Sequence, residues 1–136
     1  MIREATIADL PMIVDLLQEF HSGAEQPQGF VRGDVYDFMR GMIEGDSAIV
    51  LVSGKGLICG FVMPTVVNKA WLVCLELYWY AKDGKGYKLM KAFTDRAKEL
   101  GVNEVRFSHR SATPKIGKYL EKQGYSLDEQ VYKRLL

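Results

Sequence analysis

The chain has 136 residues, 48% of them apolar and 26% charged, which suits one soluble globular domain with a real core. Its formal net charge is +1 with no basic block, which argues against nucleic acid or an anionic membrane as the main partner. Two cysteines, Cys59 and Cys74, are too few for a disulfide scaffold and read as free thiols in a reducing, cytoplasmic compartment; no apolar run is long enough to span a membrane, and the N-terminus does not read as a signal peptide.

In chain order, Met1 to Ala5 reads as a short first strand. Asp9 is the better of two N-cap candidates, with Thr6 the other, because Pro11 then falls in the first helical turn. Leu10, Ile13, Leu17 and Phe20 follow at helical spacing, and His21 closes the helix as a solvated cap or a substrate contact. Residues 24–33, with Pro27, Gly29 and Gly33, read as loop. Asp34 then caps a second helix that buries Val35, Phe38, Met39 and Met42 and stops at Gly45.

A meander of strands comes next. Ala48 to Ser53 turns at Gly54-Lys55-Gly56 into Leu57 to Val67, where Gly60 marks a bulge. Ala70 to Tyr80 is a long fourth strand. Period two puts Trp71, Val73, Leu75, Leu77 and Trp79 on one face and Leu72, Cys74, Glu76, Tyr78 and Tyr80 on the other. Glu76 stands out as a carboxylate within an apolar strand. It reads as a functional group, as a position facing a groove, or as half of a salt bridge to a lysine.

The stretch from Glu76 to Leu100 organises the rest. The strand ends in Ala81-Lys82-Asp83-Gly84-Lys85-Gly86, and an amphipathic helix from Lys85 to Leu100 starts directly behind it, stopping at Gly101. Glycines that turn N–H groups outward at a helix start make an anion site; a plain strand-to-helix turn is the competing account. Val102 to Ser108 is a fifth strand, Thr113 or Ser111 caps a fourth helix ending before Gly124, and Tyr125 to Leu127 and Val131 to Leu135 close the chain as two further strands. The fold class is α/β (α+β). The sheet is expected to be mixed and twisted, of about six to seven strands, with helices on both faces and parallel, splayed fourth and fifth strands, in a single domain over 1–136. A Rossmann fold does not fit, because strands two to four run as a meander and the third glycine of the fingerprint is missing. A P-loop does not fit, because Gly84-Lys85 is followed by glycine.

This order of elements, with three local motifs, resembles the GNAT acetyltransferase superfamily over essentially the whole chain. Ile2-Arg3-Glu4-Ala5-Thr6 through Pro11 is similar to that family's usual opening. Phe20-His21 and Trp79-Tyr80-Ala81 are similar to a subgroup common in phages. Ala81 to Gly86 fits the coenzyme A signature, Gln/Arg-x-x-Gly-x-Gly/Ala, at both small-residue positions, and Lys118 to Tyr125 fits the C-terminal Tyr-x-x-x-Gly-Phe segment in part. The chain departs from the pattern at Ala81, at Leu120 (where many members carry a thiolate-protonating tyrosine) and at Thr113 (where many carry asparagine).

The resemblance implies acetyl transfer from acetyl-CoA to an amine by direct attack, without a metal. Its implied coenzyme site comprises Tyr80, Ala81, Gly84, Lys85, Gly86, Tyr87, Lys88 and Leu89. Glu76 is the candidate base and Tyr119, next to Leu120, the candidate acid; His109 is a backup base and Cys74 an alternative nucleophile. The partner is a small-molecule or peptide amine, with nucleic acid and membrane not expected and a homodimer left open. A degenerate acyl-CoA binder and an interaction module that kept only the fold are the alternatives, from different functional classes.

Overall fold

The computed structural model describes residues 1–23 and 26–136; the expected loop at Ala24 and Glu25 lies outside the described residues. The elements are β1 (Arg3–Glu4), α1 (Leu10–Ser22), α2 (Arg32–Glu44), β2 (Ala48–Ser53), β3 (Gly56–Pro64), β4 (Leu72–Ala81), α3 (Gly86–Glu99), β5 (Glu104–Arg106) and α4 (Pro114–Lys122). They build one five-stranded sheet in the order β1-β2-β3-β4-β5. The first three pairings are antiparallel and β4–β5 is parallel. Among the described residues no helix is long and apolar enough to cross a membrane.

The alternation along β2 sorts the core into two layers. Val50 and Val52 join Leu10, Ile13, Leu17, Met39 and Met42 on the α1–α2 side. Ile49 and Leu51 join Leu89, Met90, Phe93, Ala97 and Leu120 on the α3–α4 side. Both layers are dominated by side chains almost wholly removed from water.

Five strands form among the described residues rather than six to seven, because the two expected at the C-terminus do not form. Tyr125 is drawn into the α3–α4 layer, where its hydroxyl meets Thr94 Oγ1 at 2.7 Å and its ring meets Phe107 edge-on. Beyond it the chain touches β5 through charge, Arg106 pairing with Asp128 at 3.0 Å, and not through a ladder. The second helix also starts earlier than expected, at Arg32, leaving Asp34 in its first turn, where the dipole favours a carboxylate.

The expected division of β4 into two period-two faces does not hold. Cys59 pairs with Tyr78 and Gly60 with Glu76, so Leu77 is one residue too many and the strand bulges. Across the bulge the sides exchange. Cys74 and Trp79, assigned opposite faces by simple alternation, both pack in the α3–α4 layer. Tyr78 and Tyr80 pack in the α1–α2 layer against Phe20, so they do not share a face with Cys74. Gly60 lets the bulge form. A Cβ there would run into the Leu75 carbonyl oxygen and stand 2.8 Å from Phe93 Cζ.

Candidate functional site

The parallel ladder between β4 and β5 begins at Val73–Glu104 and ends at Leu75–Arg106, while β4 continues through Ala81. Six residues of β4 therefore run on without a β5 partner, from Glu76 to Ala81. Glu76 is the first of them. Its Oε1 accepts the backbone N–H of Ser108 at 3.3 Å across the opening seam. Among the described residues it has no cationic partner, so the salt-bridge reading fails. Burial raises its pKa from 4.5 to about 7, with the Ser108 hydrogen bond pulling weakly the other way.

The far end of the seam is the β4–α3 loop. Gly84 sits at φ +73, which favours glycine. Asp83 fixes the loop: its Oδ2 accepts the Ser53 hydroxyl at 2.7 Å and the Lys55 N–H at 2.9 Å, and its Oδ1 accepts the Lys85 N–H at 3.1 Å. Burial pushes the Asp83 pKa up, but these hydrogen bonds outweigh it and the net shift is downward. Lys82 N–H donates to Lys55 O at 2.9 Å, so the β2–β3 turn and the loop are stitched together.

The first helical bond of α3 runs from Leu89 N–H to Lys85 O at 2.9 Å. The N–H groups of Gly86, Tyr87 and Lys88 have no acceptor among the described residues, as expected for the first turn of a helix. Lys85 and Leu89 differ from them, since each has its N–H engaged, and the Leu89 side chain lies in the core. Gly86 needs no special backbone angle, and a Cβ there would meet Trp79 Nε1 and Ala81 only in ordinary contact. Lys82 is drawn away to Glu19 on α1 at 3.0 Å, whereas Lys85 and Lys88 make no ion pair among the described residues. Three free donors with two cations beside them suit an anion. Tyr80 turns its ring to Phe20 on the α1 side, and Ala81 packs on the α3 side.

Tyr119 reaches this helix start from α4. Its ring stacks on Tyr87 with centroids 3.9 Å apart and 29° between planes. Leu120, one residue on, points into the core. The hundred-degree step along a helix that separates the two thus puts the tyrosine, and not the leucine, beside the loop. Trp79 entered the sequence reading only as part of the Trp79-Tyr80-Ala81 motif and was given no role in the site. Its Nε1 donates to Gly86 O at 2.8 Å and its ring meets Tyr87 and Phe107 edge-on, tying β4, α3 and the chain after β5 together. The signal for its orientation was Gly60, opposite the bulge that turns Trp79 to this side.

The alternative groups are placed less favourably. Cys74 is fully buried, and burial pushes its thiol up to about 11, which leaves little thiolate for attack. Cys59 is likewise buried and pushed up to about 12. His109 is wedged against Gly117 of α4, and its Nδ1 bonds Arg110 O at 2.8 Å. Thr113 donates its hydroxyl to Arg110 O at 2.9 Å. His21 Nε2 lies 2.8 Å from Gln28 O, and Tyr36 sits partly exposed on α2. Two open depressions lie off the seam. One, about 510 Å³, borders Asp15, Gln18, Glu19 and Ser22 on α1; the other, about 350 Å³, lies between α2 and the paired strands β2 and β3 at Phe38, Met42, Ala48 and Phe61. Neither touches Glu76 or the start of α3.

No protein-family model and no curated protein matches the sequence. Solved structures do resemble the fold. A transcriptional regulator from Bacillus halodurans C-125 matches with TM-score 0.81 at 16% identity, covering 100% of this chain and 99% of that one. A putative acetyltransferase from Agrobacterium tumefaciens str. C58 matches at 0.76 and 16%, covering 100% and 99%. An aminoglycoside acetyltransferase from an uncultured soil metagenomic sample matches at 0.76 and 15%, covering 100% and 94%. At this identity the likeness shows a shared fold.

Proposed function

We propose that this chain, acting as one domain over residues 1–136, is an acetyl-CoA-dependent N-acetyltransferase. The observation that carries the reading is the conjunction along β4: a half-strand open on its β5 side, with a buried carboxylate at one end and three free helix-start donors at the other. Acetyltransferases among the structural neighbours support it, as do the motif resemblances. The Phe20-His21 and Trp79-Tyr80-Ala81 motifs support placement in the GNAT subgroup common in phages. Two buried thiols suit a reducing cytoplasm.

Acetyl-CoA supplies the activated acetyl group and carries away the thiol. The N–H groups of Gly86, Tyr87 and Lys88 hold its pyrophosphate, helped by Lys85 and Lys88 as charge and by the positive end of α3. Lys85 and Leu89 contribute no backbone donor to that hold. The free edge of β4 near Tyr80 and Ala81 offers main-chain partners to amides of the pantetheine arm. Glu76 takes the proton from the ammonium form of the acceptor, directly or through water, leaving a neutral amine to attack the thioester carbonyl. A base near 7 is well matched to that task. Tyr119, held by its stack on Tyr87, gives a proton to the departing sulfur and regains one, through water, from the nitrogen, which sheds its second proton as the amide forms. The acceptor is a small-molecule or peptide amine, neither nucleic acid nor membrane.

A second reading, an acyl-CoA binder without turnover, is favoured by Leu120 being in the core where a catalytic tyrosine is usual, and by Ala81 and Thr113. Thermal-shift titration with CoA thioesters, followed by acetyl-CoA consumption with a panel of amines, decides. Binding with consumption supports the enzyme, binding without it the second reading, and no binding removes both.

A further inference from the structure

Gly117 is an odd residue for the inside of α4. The helix has nine residues, and Leu120 is the one that is buried. Glycine weakens a helix relative to alanine, and a helix this short does not form by itself. The neighbour explains the choice. A Cβ on Gly117 would stand 2.7 Å from His109 Nε2 and 3.3 Å from its Cε1, so the edge of the imidazole lies where a side chain would begin.

The ring is held there from its other side. His109 Nδ1 lies 2.8 Å from the Arg110 carbonyl oxygen, which only accepts, so the proton of that bond is on Nδ1. The same oxygen accepts the Thr113 N–H and the Thr113 hydroxyl, both at 2.9 Å. The turn that leads into α4 therefore fixes the ring, which cannot swing off Gly117 without giving up Arg110. Two residues on, about 200° around the helix, Tyr119 faces nearly the opposite way and stacks on Tyr87 with centroids 3.9 Å apart. The helix is gripped on two flanks, by a histidine from its own lead-in turn and by a tyrosine at the start of α3.

We propose that His109 is a positioning residue: seated in the notch left by Gly117, it presses α4 toward α3 and keeps Tyr119 on Tyr87. The inference rests on the reading of Tyr119 as the proton donor to the departing sulfur. The imidazole itself takes no proton in the reaction. Its bulk, and its bond to Arg110, set where the Tyr119 hydroxyl stands, and a general acid works only within hydrogen-bond reach of the atom it protonates.

The test exchanges bulk across the contact. His109→Asn keeps a donor for Arg110 but ends short of Gly117, and Gly117→Ala adds a methyl where the ring lies. Each single variant should lower kcat at least about fivefold, short of the ~10²-fold that losing a general acid costs. The KM for acetyl-CoA should not change, because the free donors are on α3. The double variant fills the space left by the ring with the methyl and should regain most of the loss, a coupling that additive effects would not give. Nuclear magnetic resonance reads the stack without turnover. The Tyr119 ring protons, shifted upfield by the face of Tyr87, should move toward ordinary tyrosine positions in each single variant and return in the double. Should Gly117→Ala alone not fold, His109→Asn and the double variant carry the same comparison. A histidine acting as the base gives a different pattern: His109→Asn inactive with its ring shifts unchanged, and the double variant no better. That pattern overturns the proposal, and so do single variants that leave kcat and ring shifts as in the parent. A parent without acetyl transfer removes the proton-donor reading, and the ring shifts alone then decide whether His109 holds the stack.

Discussion

The carboxylate of Glu76, one residue beyond the last β4–β5 pair, reaches across the opening seam of the sheet to the backbone N–H of Ser108, 3.3 Å away. That single bond is all that offsets its removal from water, and so the group holds its proton up to about pH 7.

Stability should therefore fall with pH over a defined window. Between 4.5 and about 7 the folded protein keeps a proton at Glu76 that the unfolded chain has released, so raising the pH favours unfolding; above about 7 both states are ionised and the loss is complete. At ~1.4 kcal/mol per pKa unit the loss is on the order of 3 kcal/mol. Glu76→Gln has no charge to bury. Its melting temperature should match the parent's near pH 4.5 and exceed it at pH 8; equal pH profiles for the two proteins would refute the burial account.

In turnover the same substitution should act in the opposite direction. Glu76→Gln should lower kcat by ~10²–10⁴, the usual worth of a general base, with CoA affinity nearly unchanged. The parent's rate should rise with pH through an apparent value near 7, and the variant should lack that rise. Tyr119→Phe keeps the stack on Tyr87 but not the hydroxyl, so a fall in kcat alone is expected. Turnover of Glu76→Gln within about threefold of the parent would pass the role to His109 or to an unassisted amine.

Gly86→Asp should abolish CoA binding without unfolding the protein. The Cβ has room, but the added carboxylate would stand beside the three free donors and repel a pyrophosphate. For the parent, ligand at 100 times its Kd stabilises by about 2.7 kcal/mol, several degrees in Tm. A variant that melts like the parent when free yet still shifts with CoA would move the phosphate site elsewhere.

Gly60→Ala should destabilise by about 1–3 kcal/mol, the range for forcing a methyl into filled space. The obstacle is backbone, the Leu75 carbonyl, together with Phe93. Urea unfolding measures it directly. An unchanged midpoint would mean that the bulge opposite Glu76 relaxes freely.

The sequence was most readable where one residue type has one physical use. Gly84 with φ +73, Pro114 in the first turn of α4 and the helical stripes of α1 and α3 all lie where pattern places them. The parallel β4–β5 pairing was legible from the helix between them. The bulge itself was marked by Gly60, but pattern could not carry which strand holds the extra residue: it is Leu77 on β4, and period two along β4 is blind to it. The same blindness assigned Trp79, Tyr78 and Tyr80 to the wrong sides relative to Cys74. The closing strands failed for another reason: alternation shows that a segment is able to pair, not that this chain supplies a partner. The role of Asp83 was hidden because Ser53 and Lys55 approach it from thirty and twenty-eight residues away.

The two thiols have a practical consequence. Cys59 and Cys74 are both fully buried and hold their protons far above neutrality. The native protein should consequently be silent toward maleimides and mild oxidants at neutral pH. A cysteine introduced at exposed Tyr87 or Leu135 would then be the only site that labels, with no background from the wild-type sulfurs. A fluorophore or spin label placed that way would report on the start of α3 or on the C-terminal segment alone.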